Sequence, residues 1–595
     1  MSMPDWKDAL PMPPPGGRLL EMWMTSFEQP DAGLLVEHLL PSLLGTSYSL
    51  SQEIQERMLF FGELGTALEQ LHGRLTVISS PPRGVRNTSP YPWLWRYVSH
   101  FTVGAKAPAV QHAKLWAFHW EVGNEEYLNL YISSTNLTAS AFKSQVQAGW
   151  QVSVRLNDKF TATARDKWGE LILFIKELGA SAGDVAKTRL KRLTSLLGRA
   201  ECPSDVTFVA SIPGKNPAAS QLKQFELTGI HVLTPTIGEW RSQTISDWSR
   251  DVGVDSRRLH LKWIAVNHPW AGTSGWTLSQ AAGEALLTSG VQIEHVPTEA
   301  RFTKQHYEAD QRWSHAKLYL LCSRKKRRLL VTSANWSIAA WGAGKIKPSN
   351  FELGVVFESK WTNLELIDEA FDPPEIIPYY VDRSDGEEGV PALQWAEASW
   401  DGNRVALSVR SSDQAMPIVG EVYFSSGAQE PVKFVAGAGE LLWVNTVNTP
   451  IIAKIIQGND MLEVDIVDLR PPAEFVKTPL PEVDSDLTKI LREVFLLQRY
   501  GGPVLDPDFI CRNGGERRRT TLSTDYSVQA WLDARAGFGV VDSWCVAHDK
   551  AQTDPLMLER VQLDGNGLLE IYTRREGPQA SLVAEELRWR IGKEA

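Results

Sequence analysis

Two copies of one short pattern stand far apart in this chain. The first reads Gln111-His112-Ala113-Lys114-Leu115, followed downstream by Ser133-Ser134-Thr135-Asn136. The second reads Ser314-His315-Ala316-Lys317-Leu318, followed by Thr332-Ser333-Ala334-Asn335. The residue types suit chemistry at phosphorus. A neutral imidazole can attack a phosphorus atom and carry the phosphoryl group covalently. A second, protonated imidazole can give its proton to the leaving oxygen. Lysines bring fixed positive charge to the phosphate oxygens, and asparagines add neutral donors. Such a set cuts a phosphodiester by positioning and electrostatics. It calls for no metal and no cofactor.

The pattern needs elements that bring its parts together. His112 and Lys114 are two apart, so on extended backbone both side chains face the same way. An apolar run, Leu115 to Trp120, leads to the polar stretch Glu121 to Glu126, and a second apolar run, Leu128 to Ile132, leads to Asn136. Gly123-Asn124 is a turn signal. It lies midway between His112 and Asn136, which predicts a hairpin with both residues at its open end. In the second copy, Leu318 to Cys322 is the outgoing strand, Arg324 to Arg328 the turn, and Leu329 to Val331 the return. Position 325 again lies midway between His315 and Asn335. Two hairpins thus imply two half-sites.

This arrangement resembles the phospholipase D superfamily and, within it, the tyrosyl-DNA phosphodiesterases. Most of the superfamily has an Asp five residues after the motif lysine. Here those positions are His119 and Cys322, and that absence is typical of the tyrosyl-DNA phosphodiesterase branch. Val331 to Gly342 and Phe351-Glu352-Leu353-Gly354 to Phe357 are similar to the branch's second motif region. Asn136 followed by Gln147-Ala148-Gly149-Trp150 is similar to its first. The resemblance implies that His112 is the nucleophile and His315 the general acid, then base. It implies that Lys114, Lys317, Asn136 and Asn335 hold the phosphate, and that Gln147 and Glu352 orient the histidines. A carboxylate accepting from an imidazole N–H fixes the tautomer, which suits Glu352 to that task. Trp336 and Trp341, just past the second Asn, are candidate substrate-stacking residues.

The composition is that of an ordinary soluble protein: 43% hydrophobic and 22% charged residues. At 595 residues the chain exceeds what one core holds. Cys202, Cys322, Cys511 and Cys545 are scattered without a CxxC pair, which argues against a zinc site or disulfide scaffold and for a cytoplasmic protein. No apolar run is long enough to span a bilayer, and the first residues lack the order of a secretory signal. The net charge of −10 does not by itself favour nucleic acid, although one basic groove would suffice. Basic runs occur at Lys187 to Arg199, Arg324 to Arg328 and Arg517 to Arg519. The second falls at the closed end of its hairpin, some ~25–30 Å from His315 at ~3.3 Å per residue, too far to touch the reacting phosphate.

The expected fold is α/β: a Pro-rich lead-in (1–20), then two phospholipase D-like halves (21–200 and 201–381) related by a pseudo-twofold. Strands are expected at Arg74 to Ile78, Trp150 to Arg155, Val206 to Ala210, Ile230 to Leu233 and Leu259 to Val266. Leu190, Leu193, Leu196 and Leu197 mark one face of an amphipathic helix. Past the linker Asp382 to Gly389, short strands recur in a β-sandwich-like domain (390–475). A mixed or helical domain (484–595) follows, opening with a helix over Asp486 to Tyr500. One active site would form between the halves of a single chain, without dimerisation.

The leading expectation is a metal-independent phosphodiesterase on DNA, single-stranded or at a 3′ end, working through a phosphohistidine. It would act in 3′-end processing and repair or as a nuclease. The alternatives are a nuclease subunit of a phage-defence or nucleic-acid-processing complex, with a protein partner on the C-terminal domains, and a non-catalytic scaffold or phospholipase. A lipid substrate is disfavoured by the Asp-less motif and the lack of a membrane-binding basic amphipathic face near the site.

Overall fold

The computed structural model describes residues 10–264, 280–296, 313–364 and 393–470. Short breaks fall at 47–49, 51–53, 82–90, 92–93, 96, 144, 158–166, 363, 414, 425–430, 437–440, 446–449 and 459, and only 566, 569, 573, 584–585, 587–588 and 591–592 are described beyond 470. The expected helix over Asp486 to Tyr500, the linker Asp382 to Gly389 and the basic run Arg517 to Arg519 lie outside the described residues.

Two sheets carry the repeated motifs. The first contains β1 (Gly17–Thr25), β2 (Leu75–Ser79), β3 (Val98–Thr102), β5 (Leu115–Val122), β6 (Glu125–Ser133) and β8 (Gly149–Arg155), in the order β3-β2-β1-β5-β6-β8. Two further short strands, β4 (Val110–Gln111) and β7 (Gln145–Val146), flank its hairpin in sequence. The second sheet contains β9 (Val206–Ser211), β10 (Leu227–Thr234), β11 (Leu259–Ile264), β12 (Gln292–Val296), β14 (Leu318–Ser323), β15 (Arg327–Thr332) and β16 (Asn350–Glu358), with the two-residue β13 (Trp313–Ser314) before β14. Its path runs β12-β11-β10-β14-β15-β16-β4, and β9 pairs with β16. In each sheet three parallel strands lead into an antiparallel hairpin. A third strand then closes the antiparallel part, β8 in one sheet and β16 in the other.

The hairpins form where the apolar runs place them. Leu115 to Trp120 is buried along its length, as a strand covered on both faces requires. Val122 pairs with Glu125 across Gly123-Asn124. Gly123 has φ 61°, the left-handed conformation a two-residue turn with glycine first demands. The turn of the second hairpin is shorter than the sequence suggests. Arg327 and Arg328 are already strand residues, and Cys322 pairs with Arg327. Leu115 faces Ile132 and Leu318 faces Val331, so each motif Asn sits one residue past the point opposite its His. The offset is the same in both copies.

One apolar cluster joins the two sheets. Leu115, Ala117 and Leu130 of the first sheet share it with Leu353, Val355 and Phe351 of the second, and with Leu190, Leu193 and Leu197 of the helix Asp184–Arg199. Burial of each Leu- or Phe-sized side chain contributes about 1.5–3 kcal/mol, so the two sheets are held together by the core beneath the site.

Seven further strands, β17 (Leu393–Trp400), β18 (Arg404–Ser411), β19 (Ile418–Phe424), β20 (Val432–Ala436), β21 (Leu441–Asn445), β22 (Pro450–Gln457) and β23 (Asp460–Asp468), enclose their own core. Hydrogen bonds link all seven into one path, β20-β19-β22-β23-β17-β18-β21. This unit rests on the first half. Trp395 donates to the Thr102 carbonyl at 2.9 Å, and His100 meets Asp465 at 3.4 Å and Ser79 Oγ at 2.9 Å. Among the described residues no helix is long and apolar enough to cross a membrane.

Candidate active site

Each histidine is delivered by a two-residue strand that crosses to the other half. β4 ends at Gln111 and pairs in parallel with the start of β16, setting Phe351 beside Gln111. His112 N–H then donates to the Phe351 carbonyl at 3.0 Å. β13 ends at Ser314 and pairs in parallel with β7, setting Ser314 beside Val146. His315 N–H donates to the Val146 carbonyl at 2.9 Å.

The crossing determines which side chain each imidazole meets. His112 Nδ1 lies 2.9 Å from Glu352 Oε2, and His315 Nδ1 lies 3.2 Å from Gln147 Oε1. A carboxylate only accepts, so Nδ1 of His112 carries the proton and Nε2 keeps its lone pair. Gln147 donates through Nε2 to Gln145 Oε1 at 2.7 Å and to the Ala141 carbonyl at 3.3 Å, which turns its oxygen toward His315. Nε2 of His315 then accepts from Lys317 Nζ at 2.7 Å.

A serine supports each partner. Ser134 Oγ donates to Gln147 Oε1 at 2.6 Å and Ser333 Oγ donates to Glu352 Oε2. In return Ser134 accepts from the Ala148 N–H and Ser333 from the Leu353 N–H, each at 3.1 Å. Gly354 gives β16 the room to approach, since a Cβ there would stand 2.8 Å from Thr332 Cβ. Both serines lie inside the repeated motif, two residues before each Asn. Comparing the copies position by position would have found them.

The lysines are equivalent too. The Lys114 carbonyl accepts from Ser133 N–H at 3.1 Å, and the Lys317 carbonyl from Thr332 N–H at 3.2 Å. Both side chains are 0% exposed. Lys114 Nζ donates to the His112 carbonyl at 2.6 Å, and Lys317 Nζ to that of His315 at 2.9 Å. Asn136 accepts from the Phe27 N–H at 3.2 Å and donates to Glu28 Oε1 at 3.3 Å, while Asn335 accepts from Thr234 Oγ1 at 3.2 Å. Phe27 packs its ring 4.8 Å from that of His112. Phe27, Glu28 and Thr234 carry no motif signal; they follow or end the strands beside the hairpins.

Burial sets the electrostatics. It lowers His112 to about 4, with Lys114 and Lys317 pushing the same way and Glu352 opposing them. Burial also takes His315 well below its ordinary value, helped by Lys317, Lys114 and His112. The charge of each lysine is thus felt by both histidines. Lys114 is lowered to about 8 by burial, and Lys317 falls well below its ordinary value by burial and by repulsion from Lys114. Burial alone would raise Glu352, but His112, Lys114 and Ser333 together hold its carboxyl below the usual range. The free site therefore holds two neutral imidazoles, an ionised carboxylate and lysines that lack a sufficient counter-anion. It is built to receive an anion.

Two expected residues are elsewhere. Trp336 and Trp341 are 0% and 1% exposed, so neither can stack on a substrate. Trp336 stacks on Trp240 at 4.4 Å, and Trp341 donates to Tyr319 Oη at 2.8 Å. They anchor the segment carrying Asn335 into the core of the second half. The basic turn is held locally: Lys326 pairs with Glu358, and Arg328 lies 5.0 Å over the Phe225 ring.

Residues 262–394 match the family described as tyrosyl-DNA phosphodiesterase. That segment is similar to the family. It takes in His315, Lys317, Asn335 and Glu352. Among solved structures, yeast tyrosyl-DNA phosphodiesterase is similar at 17% identity, over 60% of this chain and 85% of that one, with a TM-score of 0.38. A mutant form of the yeast enzyme gives 16%, 59%, 85% and 0.38. A polyphosphate kinase from Porphyromonas gingivalis gives 8%, 58%, 44% and 0.28. No curated protein matches the chain.

Proposed function

We propose that this protein is a metal-independent phosphodiesterase acting on DNA through a covalent phosphohistidine, with 3′-end processing as its task. The observation that carries the reading is the crossed pair: His112 on Glu352 and His315 on Gln147, with two buried lysines between them. The two sheets are then phospholipase D-like halves related by a pseudo-twofold, each completing the other's half-site in a single chain. DNA is the substrate class because the matched family bears that substrate in its name.

In the first step Nε2 of His112 attacks phosphorus, the bond to the leaving oxygen breaks, and His315 gives that oxygen its proton. Burial and the lysine charges hold His315 neutral in the free site; the phosphate anion offsets those charges and favours the imidazolium, so the imidazole gains its proton as substrate enters. The phosphorylated imidazole of His112 is cationic and retains its Nδ1 proton, which Glu352 accepts. In the second step water attacks phosphorus, His315 takes a proton from it, and the N–P bond breaks to return neutral His112. Lys114, Lys317 and the two asparagines hold the phosphate oxygens throughout.

The test is cleavage by purified protein in EDTA, on 3′-phosphotyrosyl DNA beside unmodified single- and double-stranded DNA. We expect full activity with chelator and release of tyrosine from the 3′ end. Internal cuts in plain DNA would make the protein a nuclease instead, as would suit a phage-defence role. A strict requirement for Mg²⁺ would overturn the mechanism.

A further inference from the structure

The loop after β1 places a carboxylate where the phosphate pocket has an amide donor. Glu28 Oε1 accepts from Asn136 Nδ2 at 3.3 Å. Its field reaches both catalytic lysines and favours their charged forms. The loop is anchored on either side of it. Leu137 N–H donates to Ser26 Oγ at 3.1 Å, Gln29 Nε2 donates to the Ser80 carbonyl at 2.7 Å, and Asp31 N–H donates to the Leu137 carbonyl at 2.8 Å. Glu28 itself is exposed, so it is neither a core residue nor a buried counter-ion. Asn335 is held instead by the Thr234 hydroxyl, and among the described residues no carboxylate contacts it.

We propose that Glu28 determines specificity by charge: it disfavours phosphomonoester dianions and so speeds release of product. The inference rests on the phosphodiesterase reading and deepens it. A diester substrate brings one negative charge to the site, whereas a terminal phosphomonoester leaves with two near neutral pH. Glu28 competes with either for the Asn136 amide and repels both, but the dianion feels about twice the repulsion. The buried lysines alone would hold the more highly charged product more tightly than the substrate. Glu28 offsets that bias on the side of the nucleophile.

The experiment is calorimetric titration of the intact chain and of Glu28→Gln at pH 8 with inorganic phosphate, a dianion there, and with dimethyl phosphate, a monoanion. Glu28→Gln should bind phosphate about tenfold more tightly and dimethyl phosphate about threefold more tightly. A gain in affinity cannot arise from a damaged fold. Phosphate bound equally by both proteins would overturn the role of Glu28 alone, as would equal tightening toward both anions. Phosphate bound by neither protein would overturn the phosphodiesterase reading as well.

Discussion

The two half-sites follow one plan but give their imidazoles different partners. His112 faces the carboxylate of Glu352, and His315 faces the amide of Gln147. Three features around them are duplicated: the preceding two-residue strand, the lysine two positions on, and the serine that supports the partner. The difference separates roles that the repeat alone leaves equal. An imidazole that takes up a phosphoryl group becomes cationic, and a carboxylate on Nδ1 stabilises that cation. An imidazole that must give up a proton and retrieve it is better served by a neutral acceptor, which fixes the tautomer without trapping the charge.

The sharpest way to break this comparison is to remove each histidine in turn. His112→Ala should lower kcat/KM by at least ~10³-fold, because no nucleophile remains. His315→Asn should also be slow, but it should leave a covalent phosphoenzyme, since the attack still occurs while its hydrolysis lacks a base. Mass spectrometry of the intact protein after mixing with substrate distinguishes the two. An adduct on His112→Ala and none on His315→Asn would reverse the assignment.

Exchanging the partners is the next test. Glu352→Gln should reduce kcat on the order of 10²-fold, equivalent to about 2.7 kcal/mol of lost transition-state stabilisation. Gln147→Glu should act differently. A carboxylate beside His315 favours the imidazolium, so the alkaline limb of the pH–rate profile should move up by about one unit. Unshifted profiles in both variants would mean that the carboxylate–amide difference has no bearing on the roles.

The motif residues and their hairpins were legible because they rest on local signals: apolar runs, a Gly-Asn turn and a repeat. The crossing was not. β4, β7 and β13 are two residues each, too short for any period, and each pairs in parallel with a segment far away in sequence. Glu352 and Gln147 were reachable only through family resemblance for the same reason. Trp336 and Trp341 misled because adjacency to Asn335 says nothing about direction; Trp240 and Trp248, which bury them, arrive from another helix and loop. Phe27 and Glu28 escaped notice because they occupy a loop after a strand with no echo in the second half. Arg327 and Arg328 were read as turn residues, since charge at a hairpin end marks both a turn and the first exposed strand positions.

The smallest effect expected concerns the lysines, which both half-sites bury. Lys114 is lowered to about 8 from an ordinary 10.5. Below pH 8 it is charged in folded and unfolded chains alike, and the folded state bears the full desolvation cost. Between about 8 and 10.5 the unfolded chain binds the extra proton, so stability rises with pH across that window. Lys114→Met removes the charge and fits the same buried space. It should remove the part of that rise due to Lys114 and stabilise the protein at pH 7 by roughly 1–3 kcal/mol, even as it removes activity. Lys317→Met should gain at least as much, because Lys317 is pushed down by Lys114 as well as by burial. Urea midpoints at pH 7 and pH 9.5 for the parent and both variants measure this. A loss of stability at pH 7 in the Met variants would show that the lysines hold the two halves together rather than waiting for a phosphate.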